Sequence, residues 1–179
     1  MTPSSTDDPA VRHRLLVVVR HGRAESFAEE DHARRLTARG RRDATELGEW
    51  LAASGVRPGL ALVSSAARTR ETWELLAAAL PDAPEARIGD DLYSASPDTV
   101  LDAVRVLPEE VQVVAYVGHN PTAASLAQAL EDGEPDVGAF LALSRGFPPG
   151  AAALLQVPTP WRDLDAAGAR LVAFHSPEH

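Results

Sequence analysis

The sequence contains no cysteine and no lysine, and methionine, isoleucine (Ile88) and asparagine (Asn120) occur once each. Without cysteine there is no disulfide framework, no thiolate nucleophile and no cysteine-ligated zinc. Without lysine, every cationic side chain other than histidine is arginine, 17 in all. A GC-rich genome that avoids AT-rich codons accounts for the skew, so an individual arginine carries little information. The single Asn120, directly after His119, stands out for the same reason. Basic charge is itself scarce: 17 basic residues face 26 acidic ones, a net charge of −9. That balance argues against nucleic-acid binding, which calls for a basic face, and for a surface that does not attract polyanionic partners strongly. Long hydrophobic runs are missing too. None approaches the ~20 residues of a membrane span, and Met1 to Pro9 is polar and acidic, without the apolar core of a signal peptide. The expectation is a soluble, cytoplasmic protein with neither membrane nor nucleic acid as partner.

What is present suffices for one core. A chain of 179 residues, 45% hydrophobic, buries ~70% of its unfolded surface as one domain. Residues 1–13 read as a disordered polar tail and 14–177 as a single domain. Leu15 to Val19 is a β-branched and leucine run of the kind buried on both faces of a parallel sheet. Thr37 reads as the N-cap of a helix to about Ser54, ended by Gly55 and Pro58. Leu60 to Val63 is a second strand, followed by a helix through Trp73 and Leu80. Arg87-Ile88 is a short third strand. Ser96-Pro97 opens another helix, Val111 to Val117 is a long strand, and Pro121 or Thr122 starts the helix after it. Phe140 to Leu143, Ala151 to Val157 and Leu171 to Phe174 read as three closing strands. Alternating strands and helices predict a three-layer αβα sandwich with a mostly parallel sheet and an antiparallel edge.

Ligands of open α/β sheets bind beyond the carboxyl ends of the strands. Three strands here end in chemistry: Arg20-His21 after the first, Arg68 after the second, His119 after the fourth. Two histidines and two arginines at one pocket imply an anionic substrate. Phosphate fits best, because guanidinium binds its oxygens bidentately and a helix N-terminus at Arg68 adds amide donors. Neutral imidazole can attack phosphorus and hold the group covalently, while the remaining cations stabilise the equatorial oxygens. No metal or other cofactor is needed for that scheme. His13, His32, His175 and His179 read as solvent-exposed, Arg70 as surface, and Trp50 and Trp73 as core.

Arg20-His21-Gly22, S-S-A-A-R-T-R-E-T at 64–72 and G-H-N-P at 118–121, in that order and each after a strand, resemble the histidine phosphatase superfamily. Together with R-H-G-R-A-E at 20–25, D-H-A-R-R-L-T-A-R-G at 31–40 and the compact length, they are most similar to its small SixA-type phosphohistidine phosphatases. The resemblance runs from about Leu15 to Pro177. It implies a phosphoglycerate mutase-like fold, with His21 as the phosphorylated nucleophile. Arg20, Arg68 and His119 would complete the phosphate pocket, and Gly22, Arg35 and Asn120 would be additional substrate contacts, Asn120 chiefly by shaping the turn at His119. Ser65 stands where the second motif commonly has proline. The Ser and Asn that follow R-H-G in mutases are absent, as is a long helical insertion, which argues against mutase or phytase activity.

The general acid is open among Glu25, Asp31, Asp90 and Asp91. A substrate with a good leaving group, such as phosphohistidine, relaxes the need for one. The expected function is therefore a phosphatase, first of phosphohistidine on a protein. A small-metabolite phosphomonoesterase or mutase, and a non-catalytic phosphate-binding module, are the alternatives.

Overall fold

In a computed structural model that describes residues 13–178, six strands form one sheet in the order β3-β2-β4-β1-β5-β6. The expected tail lies outside the described residues except for His13, which is exposed, and His179 also lies outside them. The elements in chain order are β1 (Arg14–Arg20), α1 (Ala38–Ala53), β2 (Leu60–Ser64), α2 (Ala67–Ala78), β3 (Ala86–Gly89), α3 (Pro97–Arg105) and β4 (Val113–Gly118). They continue with α4 (Thr122–Leu130), α5 (Val137–Ser144), β5 (Ala152–Val157) and β6 (Arg170–His175). Strands β1, β2, β3 and β4 pair in parallel, while β5 and β6 add antiparallel.

The central strands are apolar throughout because each face is covered. Leu16, Val18, Val114 and Tyr116 point into a core shared with α3, α4 and α5. Val17, Val19, Ala115 and Val117 point the other way, into a core shared with α1 and α2. This is the alternation of a pleated strand with helices on both sides. Leu16 to Val19 are all 0% exposed, and a buried side chain of that size contributes roughly 1.5–3 kcal/mol. Helix starts follow local chemistry. Thr37 caps α1 by accepting from the Gly40 amide, and Ser96 caps α3 by accepting from the Thr99 amide.

One expected strand is a helix. Phe140 to Leu143 lie within α5, which Asp136 caps by accepting from the Ala139 amide at 2.9 Å. Ala139 and Leu143, four apart, are its buried residues, so the run has helical periodicity compressed into two turns. The sheet therefore closes with two antiparallel strands, not three.

Register sets the site. Arg20 pairs with Gly118 across β1 and β4, and Val63 with Val117 across β2 and β4. The carboxyl ends of the three strands are thus level, with His21, Ser64 and His119 side by side. The antiparallel β5 begins at the same edge: the Gly150 amide, in a residue with φ +83°, donates to the carbonyls of Arg20 and His21. That left-handed backbone suits glycine. Gly22 answers a different need. A Cβ there would sit 2.7 Å from the Gly40 carbonyl oxygen, so its small size lets α1 approach the loop after β1.

Candidate active site

A cavity of about 630 Å³ opens over the carboxyl edge of the sheet. Arg20 and His21 from β1, Arg68 from α2, and His119 and Asn120 after β4 all line it, as do Arg23, Arg34, Asp31 and Tyr93. The imidazoles of His21 and His119 face each other edge to face, with centroids 5.3 Å apart.

His21 Nδ1 lies 2.7 Å from the Gly22 carbonyl oxygen. A carbonyl can only accept, so Nδ1 carries the proton and the lone pair resides on Nε2. Gly22 itself is pinned by its amide donating to Thr72 Oγ1 at 3.0 Å, and Thr72 is wholly buried. Burial pushes the His21 imidazole down to about 3, with His119, Arg68 and Arg20 acting in the same direction against the Gly22 hydrogen bond. Burial likewise lowers His119 to about 4, reinforced by Arg68. Both rings are therefore neutral at neutral pH.

The sign of the linked stability follows. Each folded-state value lies below the ordinary 6.5, so the two histidines withhold nothing from stability above pH 6.5. As pH falls toward 4, the unfolded chain takes up protons that the folded chain cannot, and stability is lost. We expect ring-proton NMR of His21 and His119 to show no titration step between pH 8 and 5.5. A midpoint near 6.5 for either ring would overturn the assignment.

His119 is oriented from below. Ser64, 0% exposed at the end of β2, has its hydroxyl oxygen 2.7 Å from His119 Nε2. If the hydroxyl donates to Nε2, the neutral ring keeps its proton on Nδ1 for an oxyanion in the cavity. Ser64 is thus a positioning residue that strand-end sequence alone did not single out. Ser64→Ala should lower kcat about tenfold, as expected for a misoriented donor, with KM little changed. It should also shift the His119 titration, a change that packing loss alone would not produce.

Arg68 is 5% exposed. Its Nη1 donates to the Asp31 carbonyl at 2.8 Å and its Nη2 to Asp31 Oδ2 at 3.1 Å. Arg20 Nη1 donates to the Phe147 carbonyl at 2.8 Å. Among the described residues, the buried Nε atoms of both arginines have no partner. Asn120 bridges the turn after β4 to the same carbonyl: its Nδ2 donates to Phe147 O at 3.0 Å and its Oδ1 accepts from the Ala124 amide. It thus holds the start of α4 while presenting a face to the cavity.

Of the four candidate acids, only Asp31 reaches the cavity wall. The hydrogen bond from Tyr93 at 2.5 Å, with those from Arg34 and Arg68, holds its carboxylate well below the usual carboxylate range. Arg35 does not line the cavity. Its side chain is 69% exposed and lies 3.9 Å from Glu71, whereas its neighbour Arg34 reaches the wall and donates to Asp31 Oδ1 at 2.8 Å. The extended residue after the 3₁₀ turn Asp31–Ala33 sends adjacent side chains opposite ways, which no spacing in the sequence revealed. Tyr93 likewise carries no signal in the sequence. Its ring packs edge to face on His32 and His119, and Arg68 stacks on it.

His32 and His175 are half-buried rather than exposed. His32 Nε2 meets Ser65 Oγ at 2.9 Å, and His175 lies against Trp50. Trp50 is itself only half-buried, while Trp73 is in the core and Arg70 on the surface. Nor does the chain's negative balance extend to the mouth, where, among the described residues, Arg20, Arg23, Arg34 and Arg68 face one carboxylate, that of Asp31. Among the described residues, no three of His, Cys, Asp and Glu converge as a metal site.

A three-layer α/β sheet whose carboxyl edge gathers two neutral imidazoles and two largely sequestered guanidiniums defines a protein that handles a phosphoryl-sized anion. The family model described as histidine phosphatase superfamily (branch 1) matches residues 16–92, which include Arg20, His21 and Arg68. An uncharacterized protein of Mycobacterium leprae is 37% identical over 82% of this chain and 89% of its own length. The solved structure of a candidate phosphohistidine phosphatase, SixA, from Nakamurella multipartitia is 34% identical and superposes with a TM-score of 0.82 over 92% of this chain and 96% of that one. A phosphoglycerate mutase from Plasmodium falciparum, 17% identical, shares the fold at a TM-score of 0.57 over 93% of this chain and 98% of that one. The chain belongs to the histidine phosphatase superfamily, and its fold is phosphoglycerate mutase-like.

Proposed function

We propose that the protein is a phosphohistidine phosphatase that works through a phosphoryl group held transiently on His21 Nε2. The observation that carries this reading is the 2.7 Å contact of His21 Nδ1 with the Gly22 carbonyl, inside a cavity that also holds Arg20, Arg68 and His119. It supports a neutral ring with its lone pair on the free nitrogen.

In the first step the Nε2 lone pair forms a bond to phosphorus, and the bond to the leaving group breaks with its electron pair. Arg20, Arg68 and the Nδ1–H of His119 receive the charge on the equatorial oxygens. The His21 ring, now phosphorylated and still protonated on Nδ1, keeps donating to Gly22. In the second step water attacks phosphorus, the P–N bond returns its pair to Nε2, and the water proton leaves with phosphate or solvent.

Substrate class follows from the missing acid. Asp31 is held ionised by its three donors, so it has no proton for an alkoxide. A departing imidazole needs none, because its second nitrogen carries the proton that keeps it neutral. Residues 14–177 would act as one catalytic unit, in the cytoplasm, with arginines supplying the charge that a metal would otherwise supply. Among the described residues, no helix is long and apolar enough to cross a membrane.

The test is a substrate panel with chelator present throughout: a phosphohistidine protein, an aryl phosphate, a sugar phosphate and phosphoglycerate. We expect kcat/KM for phosphohistidine to exceed that for the sugar phosphate and phosphoglycerate by at least about 100-fold, the scale of a general-acid contribution. Sugar phosphate or phosphoglycerate turned over faster than phosphohistidine would reject the reading, and loss of all activity to chelator would reject metal independence.

A further inference from the structure

Beside the cavity over His21 lies a second one of about 610 Å³. The two share Arg20 and Asn120. Its character is different. Ala142, Phe147 and Pro148 give it apolar walls, and Arg145, at the end of α5, stands at its edge. Among the described residues, no carboxylate lines it. Of the described residues lining the two cavities, five are arginines and one, Asp31, is a carboxylate, in a chain whose 26 acidic residues outnumber its 17 basic ones. Among the described residues, Arg145 forms no ion pair with a carboxylate. One helical turn before Arg145, Leu141 is 53% exposed.

We propose that this second cavity is the leaving-group side of the site, and that it receives a segment of a phosphorylated protein that carries an apolar side chain next to a carboxylate. The apolar group lies against Ala142, Phe147 and Pro148, and the carboxylate meets Arg145. The assignment rests on the phosphatase reading above and adds the partner's chemistry to it.

Three observations favour a protein over a small metabolite. An apolar cavity against the phosphate pocket is of no use to a sugar phosphate, whose body is polar. The exposed Leu141, one turn before Arg145, offers a longer segment an apolar contact outside the cavity. Arg145 is a single guanidinium, a match for one carboxylate, whereas a second phosphate would draw two or more cations. Arg20 does not supply the second one, since in the scheme above its remaining donors serve the phosphoryl group over His21.

The experiment compares two short phosphohistidine peptides, one with Leu-Glu after the phosphohistidine and the other with Ser-Lys, on the wild-type protein and on Arg145→Glu. The unphosphorylated Leu-Glu peptide is also tested as an inhibitor of aryl phosphate hydrolysis. We expect the Leu-Glu peptide to be preferred by at least about tenfold in kcat/KM, mostly through KM, and Arg145→Glu to abolish or invert that ratio. A second variant, Ala142→Glu, places a carboxylate in the apolar wall and should lower the same ratio by a similar factor. Equal turnover of both peptides, unmoved by either variant, overturns the subsite and leaves the phosphatase reading intact. No turnover of either peptide, with inhibition that depends on Arg145, overturns the phosphohistidine reading and keeps the subsite. Neither turnover nor inhibition overturns both.

Discussion

Replacement of His21 by alanine should lower turnover of an aryl phosphate and of a phosphohistidine peptide by on the order of 10⁴ or more, the scale seen when a covalent nucleophile is removed. Phosphate should still bind, because Arg20, Arg68 and His119 remain in place. The structural price is small: the His21 ring donates to the carbonyl of its own neighbour, Gly22, and its backbone amide bond to Gly118 survives the change, so Tm should move by no more than a few degrees. Brief acid-free quenching of wild-type protein with labelled substrate should trap a phosphoryl group that is labile to acid and stable to base, as an N-linked phosphate is and an ester is not. The label should be absent in His21→Ala. Residual activity within tenfold of wild type would mean that water, not His21, attacks phosphorus, and the two-step scheme would fail.

One histidine among six stands out through features that are local in sequence. The run Leu15 to Val19 is apolar on both faces because β1 sits centrally between β4 and β5. Hence its carboxyl end, Arg20-His21, has to emerge at an interior position of the sheet edge. Thr37 and Ser96-Pro97 were legible as helix starts for the same reason: a cap acts over three residues. The convergence of Arg68 and His119 on His21 follows from their places after strands, and the register of β1, β2 and β4 is what brings them level.

Features that depend on distant partners were not legible. Helix α5 passes for a strand because Val137 to Leu143 is apolar nearly throughout, and only its packing on β6 and on the core tells which face is buried. Adjacent arginines 34 and 35 differ only in the direction a 3₁₀ turn gives them. Tyr93 is unremarkable in sequence, since what holds it in the wall is Asp31 and the ring of His32 packed against it. Net charge misled in the same way. It is a sum over the surface, and a site samples only a few of its members.

Arg68 is where these long-range relations meet, and its removal should have the second-largest effect. The guanidinium serves two parties. It lines the cavity over His21, where the proposed scheme puts the phosphoryl group, and it ties down the 3₁₀ turn through the carbonyl and carboxylate of Asp31. Arg68→Ala should therefore lower kcat/KM by about 10²–10³, as expected for loss of a preorganised cation at the transferring group. It should also loosen the turn, because a hydrogen bond to a charged group contributes roughly 1.5–3 kcal/mol. Arg68→Lys should recover little of the rate, since a point charge cannot satisfy both parties as a fork does. The two roles separate at Asp31→Asn. That change removes the carboxylate but keeps an acceptor for Arg68 and Tyr93, so rates on phosphohistidine and on an aryl ester should fall together and by less than about tenfold. A proton-donating Asp31 would behave otherwise: ester hydrolysis would collapse while phosphohistidine, with its self-sufficient leaving group, was spared. That split would identify Asp31 as the acid despite its three donors, and would return simple phosphate esters to the list of natural substrates.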